Sequence, residues 1–207
     1  MINKIKSLAV KILRVNHRRM YKNNHIVNPK TSNLKLSING INNSIVISKN
    51  VKIKKGICRI YGNNCKLIIE NDTFFENVEF WIQDDNSVVK IGKNNRFCGP
   101  IDISVIEGGE IIFGNDCLVS RNVSIVNGDS HKIFDKNGER INFSTKLLIG
   151  NHVWIGKNVN FLKNGSVGDE SVIGANSLVT KDYHNIKNCI IAGHPAKIIK
   201  SNIIWKE

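Results

Sequence analysis

An apolar residue recurs at every sixth position near the C-terminal end of this 207-residue chain. The positions are Ile149, Ile155, Phe161, Val167, Ile173 and Val179. A glycine directly follows four of these six residues. An α-helix, with about 3.6 residues per turn, would scatter such positions around its whole surface, and a single strand repeats every second residue. The period therefore indicates a short strand plus a tight corner, repeated.

This period is typical of a β-helix, in which three short strands complete one coil and each coil stacks on the next. We predict an all-β fold, a parallel β-helix of hexapeptide repeats, over residues 34–200, with 201–207 as a C-terminal tail. Upstream the rhythm shifts phase near Gly108 and Gly109, which predicts a corner insertion. The inward rows are predicted to continue upstream through Phe113, Val119 and Ile125, then Ile91, Phe97 and Ile103, and earliest Ile45, Val51 and Ile57.

Positive charge is concentrated in the N-terminal third. No acidic residue precedes Glu70, whereas fifteen Lys and Arg do, giving +15; the remaining fifteen basic and seventeen acidic residues give −2, for a total of +13. Such a surface attracts polyanions. Nucleic acid is the least favoured partner, because no binding module accompanies the charge and aromatic residues are few. We expect an acidic polysaccharide or the anionic inner-membrane surface.

Residues 2–15, within a basic N-terminal segment over 1–33, place their apolar side chains on one helical stripe among lysines. Two interpretations stay open. The segment is either an interfacial helix on a membrane or a helix packed on the end of the β-helix or on a sister subunit. Lysines interrupt any signal-peptide core in the first twenty residues. We therefore expect a cytoplasmic protein, at the inner membrane surface under the first interpretation.

The cysteines and histidines show no metal-ligand spacing. The five cysteines form no C-x-x-C pair, so reduced and mostly buried thiols are expected. The six histidines include no adequate close pair, and no metal site is predicted.

The aliphatic rhythm breaks between Ile125 and Ile149, although the interval is still a multiple of six. The intervening residues, near 127–147, are polar and turn-rich, with Lys-Asn-Gly at the tip. A solenoid accommodates an insertion only as an external loop, and loops held on a rigid scaffold are the usual place for function. We therefore expect the reactive residues in this extruded loop.

Several short motifs follow one another from Asp129 to Glu207. They are Asp129-Ser130-His131, Ile133-Phe134-Asp135, residues 138–142 (Gly-Glu-Arg-Ile-Asn), 149–156 (Ile-Gly-Asn-His-Val-Trp-Ile-Gly), 172–175 (Val-Ile-Gly-Ala), 179–181 (Val-Thr-Lys) and 192–197 (Ala-Gly-His-Pro-Ala-Lys). In this order the chain resembles the hexapeptide-repeat acyltransferases, and among them the O-acetyltransferases of bacterial capsule, polysialic acid and lipopolysaccharide. The resemblance implies a left-handed β-helix and transfer of acetyl from acetyl-CoA to a sugar hydroxyl. His194 departs from it, since the family most often has asparagine before the proline.

By this resemblance His131 is the general base, which suits a side chain that accepts a proton readily near pH 7. Asp129 and Asp135 are both candidates to orient its ring. Asn127 is grouped with them as an acceptor-binding or orienting residue. Asp135 is equally suited to a turn, because it precedes Lys-Asn-Gly.

The resemblance also places coenzyme A in a groove between subunits of a homotrimer. Trp154 is implied to lie beside the thioester, where its indole N–H can donate to the sulfur. A backbone N–H of a coil corner is expected to stabilise the oxyanion. The cofactor-binding residues are expected to be Trp154, Gly156, Gly174, Ala175, Lys181 and Lys197.

Two alternatives stay open from the sequence. One is an N-acetyltransferase acting on an amino sugar nucleotide, and the other is a non-catalytic β-helix scaffold of polysaccharide assembly. Both use the same fold, so the fold does not separate them.

Overall fold

A computed structural model describes residues 22–27 and 32–207 of the chain. These residues form a parallel β-helix with three faces, which confirms the predicted all-β fold. The predicted helix over 2–15 lies outside the described residues. No helix in the described part is long and apolar enough to cross a membrane.

Face 1 consists of strands that stack in parallel, one from each coil. They are β1 (His25–Val27), β3 (Ser44–Ile47), β5 (Lys66–Ile69), β7 (Val88–Ile91), β9 (Glu110–Phe113), β12 (Leu147–Ile149), β15 (Ser166–Val167) and β18 (Asp182–Tyr183). Strand β1 pairs with β3, so the stacked strands include residues upstream of 34.

Faces 2 and 3 share long strands in the early coils and have separate short ones later. The long strands, which turn one corner and cross both faces, are β2 (Ser32–Asn39), β4 (Lys52–Tyr61), β6 (Phe74–Gln83) and β8 (Arg96–Val105). Face 2 continues with β10 (Leu118–Val119), β13 (Trp154–Ile155), β16 (Val172–Ile173) and β19 (Cys189–Gly193). Face 3 continues with β11 (Val123–Val126), β14 (Asn160–Phe161) and β17 (Leu178–Val179). The last strand, β20 (Ala196–Ser201), pairs antiparallel with β19.

Two coil sizes occur along this prism. In the upstream wide coils, aligned residues such as Asn43 and Cys65 are 22 positions apart. In the downstream regular coils, aligned residues such as Asn151 and Asp169 are 18 apart. The wide coils gain one inward-pointing residue on face 1 and one on face 3, for example Val89 beside Ile91. Since successive inward residues are two positions apart along a strand, these two additions account for the four extra residues.

The inward rows form one apolar core. The predicted inward residues are buried, apart from Ile57, which is only half-buried. Cys58 and Ile60 point inward in its place because β4 turns its corner at Gly56. The phase shift predicted near Gly108 is real, but it comes from the longer strands on either side of that corner. Phe75 and Phe97 stack in this core with ring centroids 4.3 Å apart.

The corners explain why the chain is rich in Asn and Asp. Most of the non-glycine residues with positive φ in the described part are Asn or Asp, the residue types that tolerate this backbone conformation best. Their side chains also bond from coil to coil, as Asn122, Asn158 and Asn176 do at 3.2 and 2.9 Å. We name the three edges after what they carry: the groove edge (faces 1 and 2), the small-residue edge (faces 2 and 3) and the loop edge (faces 3 and 1).

The five cysteines are free thiols, and four of them are buried, as expected. Burial raises the pKa of Cys58 and of Cys117 to about 12, which leaves both as unreactive thiols near neutral pH.

Candidate active site

The extruded loop leaves the loop edge between β11 and β12. At its base, Asn127 takes the next inward position after Ile125 and is fully buried. Its side-chain oxygen accepts from the Ile106 N–H at 2.8 Å, and its amide donates to the carbonyls of Ile106 and Thr145 at 3.2 and 3.3 Å. The prediction that Asn127 contacts the acceptor is therefore wrong, because its polar atoms are used to close the loop base.

Asn142 fixes the backbone that carries His131. This amide is buried, and it donates to the His131 carbonyl at 2.7 Å and to the Asp129 carboxylate at 3.1 Å. Its oxygen accepts from the Ile133 N–H at 2.7 Å. Ser130 has a φ of +61°, which turns the chain just before the histidine. The His131 ring is exposed and has no hydrogen-bond partner among the described residues. A fixed backbone therefore presents an unengaged imidazole.

The two candidate orienting carboxylates have other partners in this chain. Asp129 accepts from the Lys163 ammonium at 2.6 Å as well as from Asn142, and the Lys163 hydrogen bond is the main cause that lowers the Asp129 pKa. Asp135 accepts the N–H groups of Asn137 and Glu139 at 2.8 and 2.9 Å, which makes it the turn residue of the loop tip. Neither contacts the His131 ring.

A second anchor joins the loop to the wide coil before it. The Glu107 carboxylate, in the turn between β8 and β9, pairs with the Arg140 guanidinium and accepts from the Ser144 N–H at 3.1 Å. Burial alone would raise the Glu107 pKa, but these hydrogen bonds outweigh it and lower the pKa. The Arg140 guanidinium also lies 4.8 Å from the centre of the Phe143 ring. The loop is thus held from both sides along the prism.

Trp154 lies on a different part of the molecule from His131. It points outward from β13 on face 2 and is 40% exposed. In a three-sided prism, face 2 is opposite the loop edge. A single chain therefore does not bring Trp154 and His131 together.

Small residues line the edge next to Trp154. Gly156, Gly174 and Ala192 occupy successive coils at the small-residue edge. A Cβ on Gly156 would lie 2.7 Å from the Ala175 nitrogen, and one on Gly174 would lie 2.7 Å from the Ala192 Cβ. Larger side chains are excluded here. The outer surface of this edge is consequently low and open, and Ala175 is exposed on it.

The two predicted phosphate-binding lysines separate in the fold. Lys197, on β20, pairs with Ala192 at the small-residue edge. Lys181 follows β17 and lies at the loop edge, one coil after Lys163. Both are exposed, and neither side chain has an ion-pair partner among residues 22–27 and 32–207.

Sequence reasoning missed three contributors. Asn142 and Glu107 hold the loop, and Trp205 of the tail lies 6.1 Å from Trp154 between ring centroids. The positive φ of Glu107, before Gly108, was the nearest thing to a signal, since that pair was recognised only as a corner. Within the described residues, no group of three or more potential metal-ligating side chains occurs.

Comparison with known proteins places these features. No family model matches the chain. The chain is 37% identical over 187 residues, 88% of its length and 86% of the relative's, to a polysialic acid O-acetyltransferase of Neisseria meningitidis. The solved structure of the polysialic acid O-acetyltransferase OatWY is similar with a TM-score of 0.78 and 34% identity, covering 89% of this chain and 86% of that one. That of the polySia-specific acetyltransferase NeuO has a TM-score of 0.64 and 36% identity, covering 84% and 89%.

The fold and these relatives define the class as a left-handed β-helix acetyltransferase of the hexapeptide-repeat type. The chain belongs to the O-acetyltransferase family that includes the polysialic acid enzymes, which confirms the resemblance inferred from its motifs.

Proposed function

We propose that this protein transfers acetyl from acetyl-CoA to a hydroxyl of an acidic bacterial surface polysaccharide. The observation that carries the proposal is the loop itself, which presents the unengaged His131 ring on a backbone fixed by Asn142. The relatives named above act on polysialic acid, an acidic glycan, and the N-terminal third of this chain carries +15. Opposite charges favour the encounter of polymer and enzyme.

In this reaction His131 accepts the proton of the attacking sugar hydroxyl. The hydroxyl oxygen bonds to the thioester carbonyl carbon, and the carbon–sulfur bond then breaks. The imidazolium returns the proton to the departing thiolate, so the base is regenerated and coenzyme A leaves as the thiol. The indole N–H of Trp154 donates to the sulfur as negative charge develops there.

We infer that the site forms between subunits of a homotrimer. His131 and Trp154 lie on opposite sides of one prism, so a neighbouring chain must supply one of them. The loop also exposes four large apolar side chains in its described surroundings, a surface that association would bury. They are Ile133 (51% exposed), Phe134 (55%), Ile141 (63%) and Phe143 (62%). A closed threefold ring gives three equivalent sites.

Acetyl-CoA would lie along the small-residue edge. The low surface at Gly156, Gly174 and Ala175 allows a pantetheine arm to approach the backbone. Lys197 on the same edge, and Lys181 from the loop edge of a neighbour, are then placed to meet phosphates. We propose a cytoplasmic location at the inner membrane surface, where the basic N-terminal segment favours anionic lipid.

The test of the base is His131→Ala, assayed with acetyl-CoA and purified acidic capsular glycan. We expect kcat/KM to fall by roughly 10²- to 10⁴-fold with unchanged folding, the range typical of a lost general base. Lys132→Ala, which truncates the next exposed loop side chain, is the matched control. Unchanged activity in His131→Ala would remove the proposed base. An alkali-stable amide product instead of a labile ester would favour N-acetylation of an amino sugar nucleotide.

The test of the shared site is a mixture of two inactive variants. Subunits with His131→Ala and subunits with Trp154→Ala are unfolded together, refolded and assayed. If each site takes His131 from one chain and Trp154 from another, mixed trimers contain intact sites and regain activity. No recovery, in mixed oligomers verified by mass, would show that each chain has its own complete site.

A further inference from the structure

A groove of about 1090 Å³ runs along the groove edge of the wide coils, outside the site described above. Its walls are corner residues of successive coils together with outward residues of face 2. Toward the regular coils it ends at the C-terminal tail, where Trp205 and His152 form its floor. The groove therefore lies on the same face as Trp154.

The outward side chains of face 2 lead from this groove to Trp154. Lys52, Phe74 and Arg96 are aligned on successive coils, and Arg96 continues through Leu118 to Trp154. Parallel strands lie about 4.8 Å apart, so Arg96 is roughly 10 Å and Lys52 roughly 19 Å from Trp154 along the prism. A chain-like ligand that reaches Trp154 can thus continue past both cations.

The charges of the groove are unequally engaged. The Asp72 carboxylate accepts from the Asn50 amide at 3.1 Å, and Asp116 accepts from Asn94 at 2.7 Å. Lys52 and Arg96 are exposed and have no ion-pair partner in the described part of the chain. The acids are therefore occupied by the corner ladder, while the two cations face the groove. Glu207 is a further acid in the lining.

The tail makes an aromatic floor by climbing the groove edge. Ile203 donates its N–H to the Asn188 carbonyl at 3.0 Å. Two coils along, the Trp205 ring stacks on His152 with centroids 4.1 Å apart and planes 8° from parallel, and its indole N–H donates to the His152 carbonyl at 3.0 Å. His152 in turn bonds Glu170 at 2.6 Å. The indole is thus fixed at the end of the groove nearest Trp154.

We propose that this groove binds the acidic glycan acceptor beyond the sugar that receives the acetyl group. Arg96 and Lys52 bind carboxylates of the polymer, and Trp205 provides an apolar platform for a sugar ring. The inference rests on the proposed function, because it assumes that the acceptor is an acidic polymer. It predicts that long acceptors bind more tightly than short ones through residues that touch neither the donor nor the reacting atoms.

The experiment compares the double variant Lys52→Gln/Arg96→Gln with Lys66→Gln, a control that removes one outward cation from face 1. Kinetics are measured with a long polysialic acid and with a short oligomer. We expect the KM for the long polymer to rise about tenfold, the size of a lost charged contact. The KM for the short oligomer, the KM for acetyl-CoA and kcat should stay unchanged. Trp205→Ala should raise the same KM, whereas Glu207→Gln should lower it.

Calorimetry on the full chain without acetyl-CoA separates this inference from the proposed function. If the wild type binds acidic but not neutral oligosaccharide and the double variant does not, the groove is supported even where transfer fails. An unchanged polymer KM in the double variant overturns the inference while leaving the transferase intact. An equal loss with the short oligomer, or a raised KM for acetyl-CoA, also overturns it, because the groove would then serve the reacting sugar or the donor.

Discussion

The wide coils and the regular coils are built from the same inward rows but differ in cross-section. The wide coils have ten-residue strands such as β6, whereas the regular coils have strands of two residues such as β13. The extra inward residues lie on faces 1 and 3, which flank the loop edge. The loop leaves that edge at the coil where the prism narrows, and it is anchored to Glu107 above and to Lys163 below. The change in coil size thus creates the shelf on which the loop is held.

The largest expected difference between the two regions is in core stability. Phe97→Ala in a wide coil removes a ring stacked on Phe75 and should lower the free energy of unfolding by roughly 3–5 kcal/mol. Val179→Ala in a regular coil removes about two methyl groups and should cost roughly 2 kcal/mol. Denaturant unfolding followed by circular dichroism measures both. Equal losses would show that the wider core does not add stability.

The next effect concerns the residue at the boundary. Asn127→Val would continue the aliphatic row of Val105, yet it leaves the buried polar atoms of Ile106 without their partner. We expect a loss of roughly 1–3 kcal/mol, because an unsatisfied buried group costs more than an added aliphatic contact returns. Val123→Ala, on the same strand, is the apolar control. A stabilised Asn127→Val protein would contradict the closing role assigned to this amide.

The anchor above the loop should affect activity more than stability. Glu107→Gln weakens the contact with Arg140 and should lower kcat/KM about tenfold, since misplacing a base by a small distance is costly. Hydrogen exchange across 128–146 should increase at the same time. Glu110→Gln, which breaks the exposed pair with Lys146, is the control and should change neither. Lost activity without faster exchange in the loop would argue for a direct role of Glu107.

The smallest effect is the pH dependence of the two anchors. The pKa values of Asp129 and Glu107 are lowered in the folded chain, so their stabilisation is present above the ordinary carboxyl range near pH 4. It is lost as the pH falls through the lowered values. Pepsin should therefore cut the loop at Phe134 or Phe143 only below about pH 4. Equal cleavage at pH 5 would show that the anchors do not hold the loop.

Most of the scaffold was predictable because each inward residue is set by local spacing. The regular rows through Ile149 and Ile173 are in the predicted phase and buried. The error at Ile57 arose where a long strand bends, since a bend changes which neighbour points inward. At the loop, Asp135 appeared as a turn residue from its sequence context, whereas Asn127 was misplaced because a polar residue in an inward row looks the same as one in a loop.

The sequence by itself determined the β-helix, the extruded loop and the acetyltransferase family, since all three depend on periodicity and on motifs that are local in the chain. Only the tertiary structure decided that the loop edge and Trp154 are on opposite sides of the prism. It also decided that Glu107, Asn142 and Lys163 converge on the loop and that Trp205 returns to His152. These contacts join residues from different coils, and their meeting depends on how coils of two sizes stack, which no local pattern records.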